Sequence, residues 1–273
     1  MNFAKLHGAG NDFLLFDGSV DAALAGVLPA LVPRLCDRRL GIGADGVLLL
    51  VPIGSRAARL EYWNADGSKA SFCANGTRCA ARFAALRWGW PELVLDTGFA
   101  PVPARVDGAE VTIELPAPTG VHTWETFTAA GVGVRGRYLV LGVPHLIVPV
   151  EWDDFWQHPL APLAPALRAH AQLAAGGANV SFVRHAGGDT LAVRSWERGV
   201  EAETLSCGSG DVAAALVAVA ERWTGASVRV ETASSRTLTV QAKGAAPQCA
   251  STLTGPAEWV ADGSVAAELL GTA

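Results

Sequence analysis

Ser71-Phe72-Cys73-Ala74-Asn75-Gly76-Thr77-Arg78-Cys79-Ala80-Ala81-Arg82-Phe83 decides how the chain is read, because it has a counterpart. The counterpart is Leu205-Ser206-Cys207-Gly208-Ser209-Gly210-Asp211-Val212-Ala213-Ala214-Ala215. Each stretch sets a cysteine before small polar and glycine residues and runs into an alanine-rich helical segment. Glycine permits a tight turn, and the first turn of a helix has N–H groups without intrahelical partners. Those groups and the positive end of the helix dipole bind anions such as carboxylates. The same position lowers a thiol pKa. Two such elements, one in each half of a 273-residue chain, predict two similar halves facing one substrate.

Working outward, composition narrows the function classes. Half the residues are hydrophobic and only 17% are charged, which allows a sizeable core and argues against disorder. A net charge of −5, with no block of lysine or arginine, argues against nucleic-acid binding. The start, Met1 to His7, lacks a signal-peptide pattern, and no apolar run reaches the roughly 18 residues of a membrane helix. Five cysteines, an odd number with no CxxC pair, fit neither a disulfide framework nor a zinc site. The expectation is a cytoplasmic protein with reduced thiols and no membrane partner. Cys79 inside the first helix, Cys36 and Cys249 read as buried, inert residues.

Before the first cysteine, Phe3 to Asp17 reads as strand, glycine turn and strand. On its own, Asn11 there fits a left-handed turn position. Leu24, Val27, Leu28, Leu31 and Leu35 have helical spacing within Ser19 to Leu40. The glycines of Gly41 to Gly46 lack the lysine and Ser/Thr of a phosphate loop, so they read as a turn into a buried strand, Val47 to Val51. Leu60 to Trp63 is a strand that ends in the turn Asn64-Ala65-Asp66-Gly67-Ser68. The helix after Cys73 ends near Gly89, and strands follow at Leu93–Leu95, Val102–Val106 and Glu110–Leu115. In the second half, strands are expected at Arg137–Gly142 and Leu146–Val150, with Val143-Pro144-His145 between them. Helical material is expected at Trp152–Trp156 and Leu160–Ala175. Strands at Ala178–Val183 and Thr190–Trp196 lead to the second helix, Asp211–Trp223. Val228–Thr232, Leu238–Ala242, Ala250–Thr254 and Ala257–Val260 close the chain. Short turns predict largely antiparallel sheets, each curled about a central helix. The fold class is α/β (α+β) in two pseudo-symmetric domains with the active site in the cleft between them. The boundaries are 1–117 and 118–262, with 263–273 packing back on the first domain.

Five motifs in order carry a resemblance over essentially the full length: Gly8-Ala9-Gly10-Asn11-Asp12-Phe13, Asn64 to Ser68, the Cys73 stretch, Pro144-His145, and Glu197-Arg198-Gly199 leading to Cys207-Gly208-Ser209-Gly210. Together they resemble the diaminopimelate epimerases, cofactor-independent enzymes that interconvert LL- and meso-diaminopimelate, a lysine and peptidoglycan precursor. The residues suit this chemistry independently. Inverting an α-carbon needs a base on one face and an acid on the other, and two thiols supply them, exchanging roles with direction. The resemblance implies that His145 partners Cys73 and that Glu197 partners Cys207. It implies that Arg198, Asn64 and Asn179 hold the distal end of the substrate and that Asn11 lies near the reacting centre. Ala74, Asn75, Gly208 and Ser209 would present N–H groups to the α-carboxylate. It implies no cofactor and no metal, with a small amino acid as the partner and a homodimer as the candidate assembly. The chain departs from the family at Ala74, usually glycine, at Val143, often asparagine, and at Gly46, a glutamine in some members. All three bear on specificity and none on proton transfer.

Two other readings stand beside this one. A two-thiol racemase of another amino acid, such as histidine or proline, would use the same cysteines. A thiol redox or sensor protein would use Cys73 and Cys207 as a disulfide switch, but it would need neither His145 nor Glu197.

Overall fold

The computed structural model describes residues 1–20, 23–173 and 175–271. It divides into two compact units, Met1–Ile113 with Gly255–Ala273, and Glu114–Thr254. The residues left out fall at positions 21–22 of the first expected helix, at 174 of the segment expected to run from Leu160 to Ala175, and at 272–273 of the tail.

In the first unit the elements are β1 (Asn2–Gly8), β2 (Asn11–Asp17), α1 (Leu24–Cys36), β3 (Gly46–Gly54), β4 (Ala57–Asn64), α2 (Ala74–Trp88), β5 (Glu92–Asp96), β6 (Pro101–Asp107) and β7 (Glu110–Leu115). Each strand pairs with the next. The pairs β1–β2, β3–β4, β5–β6 and β6–β7 are antiparallel, and β2–β3 and β4–β5 are parallel. A late strand, Glu258–Ser264, pairs antiparallel with β1. The two parallel joins are the places where a helix intervenes in the chain, as a crossover requires.

α2 touches every strand from β1 to β6, so the sheet curls around it. Its small residues Gly76, Ala80, Ala81 and Ala84 are buried and allow strands to approach on several sides. α1 covers the other face, where Leu14, Phe16, Val47 and Leu49 pack with Leu28, Val32 and Leu35. With helices on both faces, Phe13 to Phe16 and Val47 to Leu50 are continuous buried runs, the pattern of a sheet covered on both sides. Burying each such side chain contributes about 1.5–3 kcal/mol.

The second unit holds β8 (Trp124–Ala129), β9 (Val132–Leu141), β10 (Val143–Pro149), α3 (Leu163–Arg168), β11 (Asn179–Gly187), β12 (Thr190–Glu197), β13 (Ala202–Thr204), α4 (Gly208–Ala220), β14 (Ser227–Thr232), β15 (Thr237–Ala242) and β16 (Ser251–Pro256). Here β10–β11 and β12–β14 are parallel. The pairs β8–β9, β9–β10, β11–β12, β14–β15 and β15–β16 are antiparallel. This is the pairing sequence of the first unit with β13 added. α4 touches β9, β10, β11, β12, β14 and β15, so it is the counterpart of α2. The mixed α/β class and the curled, mostly antiparallel sheets are as the sequence predicts.

Several local expectations change. Asn11 is not the turn residue: Ala9 (φ 53°) and Gly10 (φ 87°) take the left-handed positions, and Asn11 pairs with Gly8 as the first residue of β2. Val143-Pro144-His145, expected to lie between two strands, is itself the start of β10. α4 begins at Gly208, three residues before the expected start, because Cys207 already has the extended backbone of an N-cap. Strands β8 and β13 add to the strands expected from the sequence. The helical material from Leu160 onward contracts to α3, since Pro162 and Pro165 limit the turns available.

Candidate active site

In the first unit, Cys73 is the N-cap of α2, with φ −145° and ψ 110°. The Gly76 amide donates to its Sγ at 3.3 Å, satisfying one of the unpaired N–H groups of the first turn. The Cys73 thiol lies 3.7 Å from Asn11 Oδ1, and Asn75 Nδ2 donates to the same oxygen at 3.4 Å. The other face of the Asn11 amide donates to Asp45 Oδ2 at 2.8 Å, and behind Asn75 the Arg78 guanidinium donates to Asn75 Oδ1 at 2.9 Å. A charged cluster supports the turn: Asp12 binds Lys5 at 3.0 Å and Arg38 at 2.7 Å, and Arg38 also binds Asp45 at 2.7 Å. Burial pushes the Asp12 carboxyl up, but the Arg38 and Lys5 hydrogen bonds outweigh it and hold it below its usual value.

In the second unit, Cys207 caps α4 with the same extended backbone (φ −110°, ψ 94°) but without a side-chain capping bond. Its thiol is 5% exposed and its pKa is raised well above the usual value. Burial is the largest cause, the negative charges of Glu197 and Asp211 add to it, and the Gly210 amide and Ser209 oppose it. Cys207 is therefore held as the protonated thiol at neutral pH. Asn179 Nδ2 lies 3.9 Å from Cys207 Sγ, while Asn179 Oδ1 accepts the Arg198 amide at 2.8 Å. Glu197, the last residue of β12, accepts from Thr204 Oγ1 at 2.5 Å. Ser206 Oγ donates to Asp211 Oδ2 at 2.9 Å.

His145 is fully buried beside Asn179 in the parallel β10–β11 register. Neither of its ring nitrogens has a hydrogen-bond partner among the described residues. Burial, with the Arg198 charge second, pushes it down to about 3, so the imidazole is neutral. A neutral ring offers one donor and one acceptor nitrogen.

The expected residues thus gather in two sets. Cys73, Asn11 and Asn75 meet around one sulfur, with Ala74 as the first residue of α2. Cys207, Ser209 and Asn179 meet around the other, with Gly208 beginning α4 and Glu197 acting on it electrostatically. Asn64 closes β4 beside Gly46 and donates to Ser68 Oγ within its own turn, at 3.0 Å. At Gly46 a Cβ would fall 2.5 Å from Tyr62 Cε2 and 2.6 Å from the Trp63 carbonyl oxygen, so no side chain fits there. Sequence reasoning missed Asp45, Arg38, Lys5, Arg78 and Asp211. Arg78 shares the alanine-rich α2 with Arg82 and Arg87, so the sequence did not single it out. The others become neighbours only when turns distant in sequence meet.

The family model for diaminopimelate epimerase matches residues 3–90 and 137–260, which include Cys73, His145 and Cys207. The chain is 35% identical over 247 residues to a diaminopimelate epimerase of Gemmatimonas aurantiaca, covering 88% of this chain and 87% of that one. It is 38% identical over 229 residues to one of Aquifex aeolicus, covering 80% and 81%. In fold it is similar to a phenazine biosynthesis protein of the PhzF family from Bacillus anthracis (TM-score 0.73, 14% identity, 97% and 99% covered). It is also similar in fold to a probable proline racemase from Agrobacterium radiobacter (TM-score 0.72, 16% identity, 97% and 92% covered). The two matched stretches carry both capped cysteines, and the identity runs over four-fifths or more of each relative: the chain belongs to the diaminopimelate epimerase family, and it is an isomerase.

Proposed function

We propose that the chain converts LL-diaminopimelate to meso-diaminopimelate with its two thiols alone. What carries this reading is the repetition of one device: a cysteine capping the central helix of each unit, followed by a first turn of small and polar residues whose N–H groups have no intrahelical partners. The Cys73 thiolate removes the α-proton from one face, and the electron pair spreads onto the α-carboxylate. The Cys207 thiol, kept protonated by its surroundings, delivers its proton to the opposite face. The sulfurs end as Cys73 thiol and Cys207 thiolate, and the reverse reaction exchanges their roles. Protons and electrons balance without a cofactor.

The amides of Ala74, Asn75, Gly208 and Ser209 meet the charge where it develops, each worth a few kcal/mol in the transition state. Glu197 serves Cys207 as proton partner. His145, with its pKa near 3, serves as a neutral hydrogen-bonding group for Cys73 and not as a carrier of positive charge. Arg198, Asn64 and Asn179 hold the distal amino-acid end. Arginine suits a carboxylate there through a bidentate contact. Reduced thiols of this kind fit the cytoplasm.

The test is α-deuteration of LL-diaminopimelate in deuterated water beside a panel of amino acids. We expect kcat/KM to be highest for diaminopimelate and Arg198→Ala to lower it far more than Val143→Asn changes it. Faster turnover of histidine or lysine would replace this reading with a related racemase. No α-exchange with any of them, together with a reversible disulfide between Cys73 and Cys207, would favour the redox switch.

A further inference from the structure

We propose that Arg78 is a positioning residue for Cys73: through Asn75 and Asn11 it fixes which atoms face the sulfur, and its buried charge favours the thiolate. The inference rests on the reading of Cys73 as a proton-transfer group. Arg78 is 0% exposed and heads the fully buried side chains by volume. Its guanidinium has donors only, so the Asn75 oxygen must face it, as the 2.9 Å contact requires. Asn75 Nδ2 then faces Asn11 Oδ1, and Asn11 Nδ2 faces the acceptor-only carboxylate of Asp45. Two amides held between a cation and an anion have a single orientation, and it places Asn11 Oδ1 3.7 Å from Cys73 Sγ. Gly8 makes room for this, since a Cβ there would fall 3.0 Å from the Asn75 carbonyl oxygen and 3.3 Å from Arg78 Nη2.

The second unit indicates that packing alone does not demand arginine. Five residues after Cys207 the corresponding position in α4 is Val212, also 0% exposed. The same curled sheet closes over a helix with an apolar side chain at that point. A buried charge is expensive to desolvate, so its presence in α2 calls for a role that valine cannot fill. A cation beside the helix start favours a thiolate over a thiol.

The experiment titrates Cys73 by its rate of iodoacetamide alkylation against pH, read on the Cys73 peptide by mass spectrometry. Wild type, Arg78→Met and Arg78→Lys are compared, each also assayed for kcat and KM. Arg78→Met should raise the apparent Cys73 pKa by about one unit or more and lower kcat with little change in KM. Arg78→Lys should keep most of the thiol titration and still lose about tenfold in kcat, because one ammonium does not reproduce the guanidinium contact with Asn75. If Arg78→Met does not fold, Arg78→Lys decides: full kcat in that variant overturns the positioning role. A Cys73 titration in folded Arg78→Met that superimposes on wild type overturns the electrostatic role. Alkylation needs no substrate, so these failures are distinct from failure of the epimerase reading, which α-deuteration reports.

Discussion

The starts of α2 and α4 share an extended cysteine cap, a glycine three residues on and the same pairing of surrounding strands. They differ in what surrounds the sulfur. Cys73 is half-buried, accepts the Gly76 amide and faces the oxygen of an asparagine carried by β2. Cys207 is buried, faces the nitrogen of an asparagine carried by β11, and feels two carboxylates. The asparagines have changed places within a common frame. β2 begins with Asn11 where β10 begins with Val143, and β11 begins with Asn179 where β3 begins with Gly46. Topology thus delivers two cysteines to equivalent positions, while their chemical character comes from side chains that the repeat does not preserve.

The largest effect should come from removing either sulfur. Cys73→Ala and Cys207→Ala should each lower kcat/KM by about 10²–10⁴-fold, the range of a lost acid–base group, with circular dichroism unchanged. A folded Cys207→Ala enzyme with full turnover would end the equivalence of the two caps.

A second effect separates the units by pH. His145 titrates near 3 when folded, against an ordinary value of 6.5. Below about 6.5 the unfolded chain therefore binds a proton that the folded chain does not. This contribution to stability is full above 6.5 and falls as pH drops toward 3, by up to ~1.4 kcal/mol per pH unit. Urea midpoints between pH 4.5 and 7.5 should show a steeper acid limb for wild type than for His145→Phe. Equal slopes would mean that the ring ionises in the folded state.

The paired glycines sharpen the comparison further. In Gly210→Ala the new methyl would meet Ser181 Oγ at 2.8 Å and the Cys207 sulfur itself at 3.3 Å. In Gly76→Ala it would meet a Leu48 methyl, the far end of an apolar side chain, at 3.1 Å. Overpacking of this kind costs about 1–3 kcal/mol, and Gly210→Ala should show the larger loss of both Tm and kcat. A greater loss in Gly76→Ala would reverse the assignment of the tighter site to Cys207. The smallest change is expected from Arg38→Ala. Its side chain is more than half exposed, so its ion pairs should contribute under about 1 kcal/mol, measurable as a small fall in the urea midpoint that added salt reduces.

The sequence by itself determined the repeated architecture. Cysteine, small residues and then alanines specify a capped helix narrow enough for strands to wrap, and the buried runs Phe13–Phe16 and Val47–Leu50 specify strands covered on both faces. Motif order alone carried the family, because each motif is a local run of residues. Tertiary structure decided what local runs cannot encode. Asp45 reaches Asn11 only because β2 and β3 are paired in parallel across a helix, and Asn179 reaches Cys207 only because β11 packs on α4. Whether Asn11 is a turn residue or one that faces the Cys73 sulfur depended on a shift of one or two positions in a hairpin, which glycine-rich sequence leaves open. The protonation of Cys207 and His145 is likewise a tertiary property, since it follows from the solvent their neighbours exclude and from charges brought close by folding.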